Sequence, residues 1–373
     1  MTARNNGPTI ATESEPFVGR RLGRYQIEAV LGRGKDATVY AAHDLIIGRT
    51  VAIKILDPLV ARDPDVRGRF LRDAAALSQL RHPHILPIYE VAERDGIAYL
   101  ARQQTEGDTL RRYLAEVGPL SLDEAGALLR PIAVALDYAH RQGFIHGNLR
   151  PSNILRTIEG QIFLTDFIAP GEAIPTASTA TTVVSTLDAP EYAAPEQVRG
   201  GGAAAAADLY VLGVILYEAL TGRPPFRAEG PDESARNILT RHLQSPPPAP
   251  NTLNPALGPA VTATLLRALA KRPADRYPTG GALFFALGEA EVQDALAAEA
   301  SPPVDPPRQP RRPSQATATA TATATVAPPD VSVAPHGPSI VTEVPLYAQR
   351  LIIGLIGLSA LLLGMLLGLL LAI

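Results

Sequence analysis

The chain contains no cysteine and no tryptophan, only two methionines, and aromatic residues make up 5% of it. Without cysteine there is no disulfide framework, no thiolate-ligated zinc, no thioether-linked haem and no thiol nucleophile. A disulfide-stapled secreted protein is excluded. Lysine is scarce as well: the 34 basic residues include only Lys35, Lys54 and Lys271 as lysines. Against so strong a bias toward arginine, a lysine that persists is informative and an arginine is not. Neither sign of charge dominates. The formal net charge is -3 and charged residues make up 19%, which gives no general affinity for nucleic acid or for acidic surfaces. No apolar run follows the first basic residues, so no secretory leader is expected.

What the 373 residues do have is a sharp change of composition along the chain. Residues 1–23 are polar and aperiodic and read as a disordered leader. Residues 24–298 alternate strand-like and helix-like segments with short turns, as a globular body does. Residues 299–350 are rich in proline, with alternating Ala and Thr from Ala316 to Thr325. That composition buries too little apolar surface to offset its ordering entropy, so it reads as a linker.

Leu351 to Ile373 then runs uncharged to the end of the sequence. As a helix it reaches about 34 Å at 1.5 Å per residue, enough for a bilayer core of about 30 Å. Arg350 stands just before it, which places the body in the cytoplasm. The expectation is a single-pass, C-terminal anchor in the cell membrane. Gly364 and Gly368 form one G-x-x-x-G, a spacing that could pack two such helices into a homodimer.

The body opens with strands. Arg24 to Gly34 is an apolar run ending in a glycine turn, Ala37 to Ala42 resumes it, and Thr50 to Leu56 is a third run rich in β-branched residues. A glycine turn between strands lets backbone N–H groups approach phosphates, and a lysine on the next strand can neutralise them; an ordinary hairpin with a snorkelling lysine has the same pattern. Helical spacing follows over Val66 to Arg81. Ser121-Leu-Asp-Glu124 is a capping box opening a long amphipathic helix to about Gln142.

A further cluster has no packing explanation. His146-Gly-Asn-Leu-Arg-Pro-Ser-Asn153 precedes Gln161-Ile-Phe-Leu-Thr-Asp-Phe-Ile168, and Ala194-Pro-Glu196 comes later. With the glycine turn and Val51-Ala-Ile-Lys54, these resemble, in order and spacing, the signature set of protein kinases. They are most similar to the eukaryotic-like serine/threonine kinases of bacteria. Asp208 to Glu218 resembles the family's central helix, and Arg272-Pro-Ala-Asp-Arg276 resembles the segment whose arginine pairs with the A-P-E glutamate, here Glu196.

The resemblance implies an α+β, two-lobed kinase-like fold with a small β-rich lobe over 24–105 and a helical lobe over 106–298. It implies ATP and Mg²⁺ as cofactors. Leu31, Gly32, Gly34, Val39, Ala52, Lys54 and Leu155 match the nucleotide-facing positions, with Ala37 in place of a third glycine. Asn153 and Asp166 match the metal-binding positions. Asn148 and Arg150 stand where the family has its catalytic aspartate and lysine.

The departures from the pattern bear on function. The catalytic carboxylate accepts or orients the substrate hydroxyl proton, and the neutral amide of Asn148 cannot act as a base. Gly147 removes the arginine that clamps an activation-loop phosphate. Ile168 stands at the glycine of D-F-G, and Ala189, within Asp188-Ala-Pro190, replaces a threonine. Asp73 aligns with the glutamate that pairs with Lys54 and is one methylene shorter. Arg102 falls at the gatekeeper position, where it pushes a charge toward the adenine pocket or pairs with Asp73 or Asp166.

The positions of phosphoryl transfer change together while the struts remain. The expectation is a membrane-anchored pseudokinase or strongly attenuated kinase, acting as a binding or regulatory module. The alternative is an active serine/threonine kinase in which another carboxylate, such as Asp188, replaces Asn148. The sequence names neither protein partners nor substrates. Thr176, Ser178, Thr179, Thr181, Thr182, Ser185 and Thr186 are candidate phosphorylation sites or simply a polar loop. His82 and His84 read as a structural turn rather than a metal pair, His140 as a helix-end dipole partner, and His146 as packing under the loop.

Overall fold

A computed structural model describes residues 16–167, 189–201, 204–230 and 233–300. The first lobe is a six-stranded antiparallel sheet of β1 (Arg21–Leu22), β2 (Tyr25–Arg33), β3 (Ala37–Asp44), β4 (Arg49–Leu56), β5 (Ile88–Arg94) and β6 (Ile97–Gln103). Their order across the sheet is β1-β2-β3-β4-β6-β5. One helix, α1 (Pro64–Leu77), packs on β5 and β6.

Strand alternation divides β4 between two tasks. Val51, Ile53 and Ile55 point into a core with Tyr25, Ile27, Tyr40, Ala42, Tyr99 and Ala101. Ala52 and Lys54 therefore stand on the other face. Register extends that second face across the sheet, since Val39 pairs with Lys54 and Ala52 with Arg102.

Two expectations need correction here. Residues 16–23 belong to the lobe rather than to a disordered leader: Phe17 and Leu22 are buried in its core, and β1 pairs with β2. The apolar pair was too sparse to show a period. The first helix also begins at Pro64 and ends at Leu77, not at Val66 and Arg81. Asp63 caps it by accepting from Asp65 N–H, and proline at the first helical position fits because that N–H has no helical partner.

The second lobe begins with a three-stranded sheet, β7 (Gly107–Thr109), β8 (Ile154–Thr157) and β9 (Ile162–Leu164). Its helices are α2 (Leu110–Val117), α3 (Leu122–Arg141), α4 (Pro195–Val198), α5 (Ala205–Thr221), α6 (Ala235–Gln244), α7 (Pro259–Ala268) and α8 (Gly280–Ala300). The capping box of Ser121 and Glu124 opens α3 as its sequence dictates. Helix α5 is apolar nearly all round and is accordingly buried at the centre of the lobe, against α3 and α7. Each of its buried leucines and isoleucines contributes about 1.5–3 kcal/mol.

Carboxylates from distant elements cap two helix starts. Asp137 on α3 accepts from Gly280 and Gly281 N–H, both at 2.8 Å, and Asp294 on α8 accepts from Ala260 and Val261 N–H, both at 2.9 Å. Among the described residues no helix is long and apolar enough to cross a membrane. The expected linker at 299–350, apart from the end of α8, and the expected span Leu351 to Ile373 lie outside the described residues.

Candidate active site

The site sits between the polar face of the first sheet and the loops of the second lobe. Gly34 N–H donates to Ala37 O at 2.8 Å, which closes the turn between β2 and β3. Gly32 lies opposite Val39, and Val39 opposite Lys54, in one row across three strands. Leu31 is exposed beside the turn, Ala52 is buried, and Leu155 is half-buried on β8.

Lys54 Nζ donates to Asp166 Oδ1 at 3.0 Å, so the strand lysine and the loop aspartate face one cleft. Arg102 reaches the same carboxylate, with Nη1 3.8 Å from Oδ2. Of the two partners its sequence position allows, Asp166 is the one engaged. The Arg102 side chain is only 12% exposed. Burial opposes the charge on Asp166, yet Lys54 and Arg102 outweigh it and hold the carboxyl below the ordinary range. Asp166 adopts φ +58°, a left-handed backbone that a short polar side chain tolerates. Asp73 is set among Arg69 and Arg72, and burial raises its carboxyl.

The loop from His146 to Asn153 is held from below by Asp208 on α5. Its Oδ2 accepts from His146 N–H and its Oδ1 from Gly147 N–H, each at 2.8 Å. His140 Nε2 donates to the same Oδ2 at 2.8 Å, so this histidine ties α3 to α5 rather than serving only its helix end. Gln197 Nε2 donates to Gly147 O at 3.1 Å. Neither contact was evident from sequence, because both join segments some 50 or more residues apart.

Gly147 has φ +67°, so the glycine also removes backbone strain at that position. His146 is buried, donates from Nε2 to Thr165 O at 3.1 Å and packs on Phe167 with ring centroids 4.4 Å apart. Burial lowers its basicity. Asn148 is half-buried, and its carbonyl accepts from Asn153 Nδ2 at 2.8 Å. Asn153 O in turn accepts from Thr165 N–H at 3.0 Å, which brings the two expected metal-binding segments together. Among the described residues, the buried Nε of Arg150 has no partner, and neither has that of Arg102.

Of the two residues expected to hold a divalent ion, Asp166 is engaged by cations and Asn153 keeps its amide oxygen. Both oxygens of Asp166 face cations, whereas Asn153 uses only its Nδ2 toward Asn148 O, a bond that orients the side chain and leaves its acceptor Oδ1 for a metal. Among the described residues there is no group of three or more histidine or acidic side chains that could hold a metal. His84 N–H donates to His82 Nδ1, His84 Nδ1 donates to Ile162 O at 2.9 Å, and His82 stacks on Tyr138, so this pair is structural. Ile168, the candidate phosphorylation sites and Asp188 lie outside the described residues.

The struts are complete. Arg276 forks onto Glu196 at 2.7 and 2.8 Å. Of the other two lysines, Lys35 is exposed in the first turn, while Lys271 lies over the Phe226 ring at 4.5 Å. Burial pushes the Lys271 ammonium down to about 8.

Comparison with known proteins agrees with this geometry. The protein kinase domain family matches residues 25–280. The serine/threonine-protein kinase PrkC of Bacillus subtilis is 40% identical over 287 residues, covering 76% of this chain and 42% of PrkC. PknD of Mycobacterium tuberculosis is 36% identical over 281 residues, covering 75% of this chain and 41% of PknD. The chain thus spans less than half the length of these relatives. The crystal structure of the PknI kinase domain of Mycobacterium tuberculosis superposes with a TM-score of 0.56 at 28% identity, over 73% of this chain and 98% of that one. The chain belongs to the protein kinase family, among the bacterial eukaryotic-like serine/threonine kinases.

Proposed function

We propose that this family member is a membrane-tethered regulatory module whose phosphoryl transfer is lost or strongly attenuated, and whose cleft takes a nucleoside triphosphate as a ligand. The observation that carries the reading is Asn148. It sits in the loop that Asp208 and Asn153 hold in place, so the position is built as a catalytic loop is built, without the carboxylate. A positioned base contributes about 10²- to 10⁴-fold, and a neutral amide offers only a hydrogen bond to the substrate hydroxyl. Gly147, Ile168 and Ala189 add to the loss.

The nucleotide reading is supported by the row of Gly32, Val39 and Lys54, by the small Ala52 beside it, and by Leu155 across the cleft. Kinases of this family use ATP and Mg²⁺. The tether is the uncharged Leu351 to Ile373 segment, with the kinase-like body in the cytoplasm and protein partners reached from the membrane surface. Gly364 and Gly368 offer a homodimer contact within the membrane.

An active serine/threonine kinase is the second reading. Its support is the intact Lys54–Asp166 pair and the kinase names of PrkC and PknD. It requires a carboxylate in place of Asn148, and Asp188 is the first candidate. Radiolabel transfer from ATP to the protein itself and to a generic protein substrate, with Mg²⁺ and with Mn²⁺, separates the two. Ordinary kinase rates that vanish in Lys54→Ala would establish the second reading and end the first.

A further inference from the structure

We propose that the cleft binds its nucleoside triphosphate without a divalent cation, the guanidinium of Arg102 supplying the positive charge that the metal supplies elsewhere in the family. The inference rests on the nucleotide-binding reading above and extends it to the ionic form of the ligand.

Geometry comes first. Lys54 and Arg102 project from the same face of one sheet, on the adjacent strands β4 and β6, and both reach Asp166. The sheet fixes the backbone of both residues, and Asp166 holds both charged ends in the cleft. The carboxylate that would hold a metal already faces a cation at each oxygen. A divalent ion entering there would meet two fixed positive charges that share one negative partner.

Charge balance points the same way. Relative to the family pattern, and apart from the arginine that Gly147 replaces on the activation-loop side, Asn148 removes one negative charge from the cleft and Arg102 adds one positive charge to it. Together these equal the charge of one divalent ion. Free ATP differs from its magnesium complex by the same two charges, so the metal-free triphosphate meets in this cleft the balance that the complex meets in other kinases. Arginine keeps its charge at any working pH. The buried Nε groups of Arg102 and Arg150 have no acceptor among the described residues; a buried donor needs one, and phosphate oxygens are strong acceptors.

The test is calorimetric titration of the full chain in detergent micelles with ATP, once in EDTA and once in Mg²⁺. Wild-type affinity should agree between the two buffers within about threefold, and Arg102→Met should lose about tenfold or more in EDTA and regain it with Mg²⁺. Arg102→Lys, which keeps the charge, should bind in EDTA as the wild type does and shows that the position tolerates substitution. Binding by the wild type only with Mg²⁺ overturns the inference and leaves the nucleotide reading standing. Arg102→Met binding in EDTA as well as the wild type does also overturns it. Binding by Arg102→Met alone, in either buffer, overturns it in favour of Arg102 as a plug. No binding by any of the three proteins removes the nucleotide reading together with the inference.

Discussion

Arg276 grips Glu196 with both ends of its guanidinium, at 2.7 and 2.8 Å, while only 4% exposed. The same side chain donates to Ala270 O and Ala206 O, each at 2.8 Å, and to Lys271 O at 3.2 Å. Five donated bonds satisfy a buried cation whose desolvation would otherwise be prohibitive. The pair fastens α4 to the loop before α8. It serves the architecture, whereas the positions altered in this chain serve the chemistry.

Removing one partner of a buried ion pair costs about 3–5 kcal/mol, because the other charge is left unmatched. Arg276→Ala should lose that much in urea unfolding. Arg276→Lys should recover only part, since an ammonium cannot fork onto a carboxylate. A variant Arg276→Ala as stable as the wild type would show that the pair is not a strut.

Gly147 offers a second stability test. Its φ of +67° favours glycine, and a side chain there costs about 1–2 kcal/mol. Gly147→Ala should lower the melting temperature, and Gly147→Arg, which restores the family's residue, should lower it as well. An unchanged melting temperature in both would mean that the backbone relaxes at no cost.

Stability should fall as pH is lowered from about 6.5, the ordinary histidine value. His242 is wholly buried, donates from Nε2 to Glu191 O at 3.0 Å and accepts at Nδ1 from Tyr210 O–H at 2.8 Å. Burial, reinforced by Lys271, pushes its pKa down to about 3. His146 is shifted in the same direction by burial. Between the folded and unfolded values the unfolded chain binds protons that the folded chain does not, so acid favours unfolding. His242 contributes a slope of about 1.4 kcal/mol per pH unit, and His146 adds to it in the same direction. His242→Gln should flatten the slope between pH 6 and 5. A pH-independent wild type would contradict the buried neutral state of both rings.

Membrane attachment is tested by deletion. Without residues 351–373 the protein should leave the membrane fraction at physiological salt and without detergent. Persistent attachment after the deletion would move the anchor elsewhere in the chain.

Much of the fold was legible because its signals are local. Alternation along Thr50 to Leu56 separates the core residues Val51, Ile53 and Ile55 from the cleft residues Ala52 and Lys54, and the Ser121–Glu124 box marks a helix start within four residues. The pairing of Arg276 with Glu196 was legible only through family resemblance. Contacts that depend on tertiary approach left no local trace. Phe17 and Leu22 are two apolar residues in a polar leader, and nothing near them in sequence names the sheet they cover. His140 shows a helix-end pattern, while its partner Asp208 lies 68 residues away. Arg102 was identifiable as a charge in the wrong place, and its choice of Asp166 over Asp73 depends on where α1 and the loop after β9 settle.

The final prediction concerns transfer itself. The base is worth about 10²- to 10⁴-fold, roughly 3 to 5 kcal/mol of barrier, and Asn148 forfeits its proton-accepting part. Restoring the carboxylate alone does not restore the rest of the site. Asp166 is held by Lys54 and Arg102, Ile168 replaces a glycine beside it, and Ala189 lacks the hydroxyl that the family places against the base. These deficits act on one transition state and need not add independently. Asn148→Asp should therefore stay near background in radiolabel transfer from ATP. Activity should rise only when Ile168→Gly and Ala189→Thr are combined with it, and further when Arg102→Met frees Asp166 for a metal, at which point transfer should become dependent on Mg²⁺. Full activity in Asn148→Asp alone would show that the missing base is the whole defect and that Arg102 does not obstruct the metal.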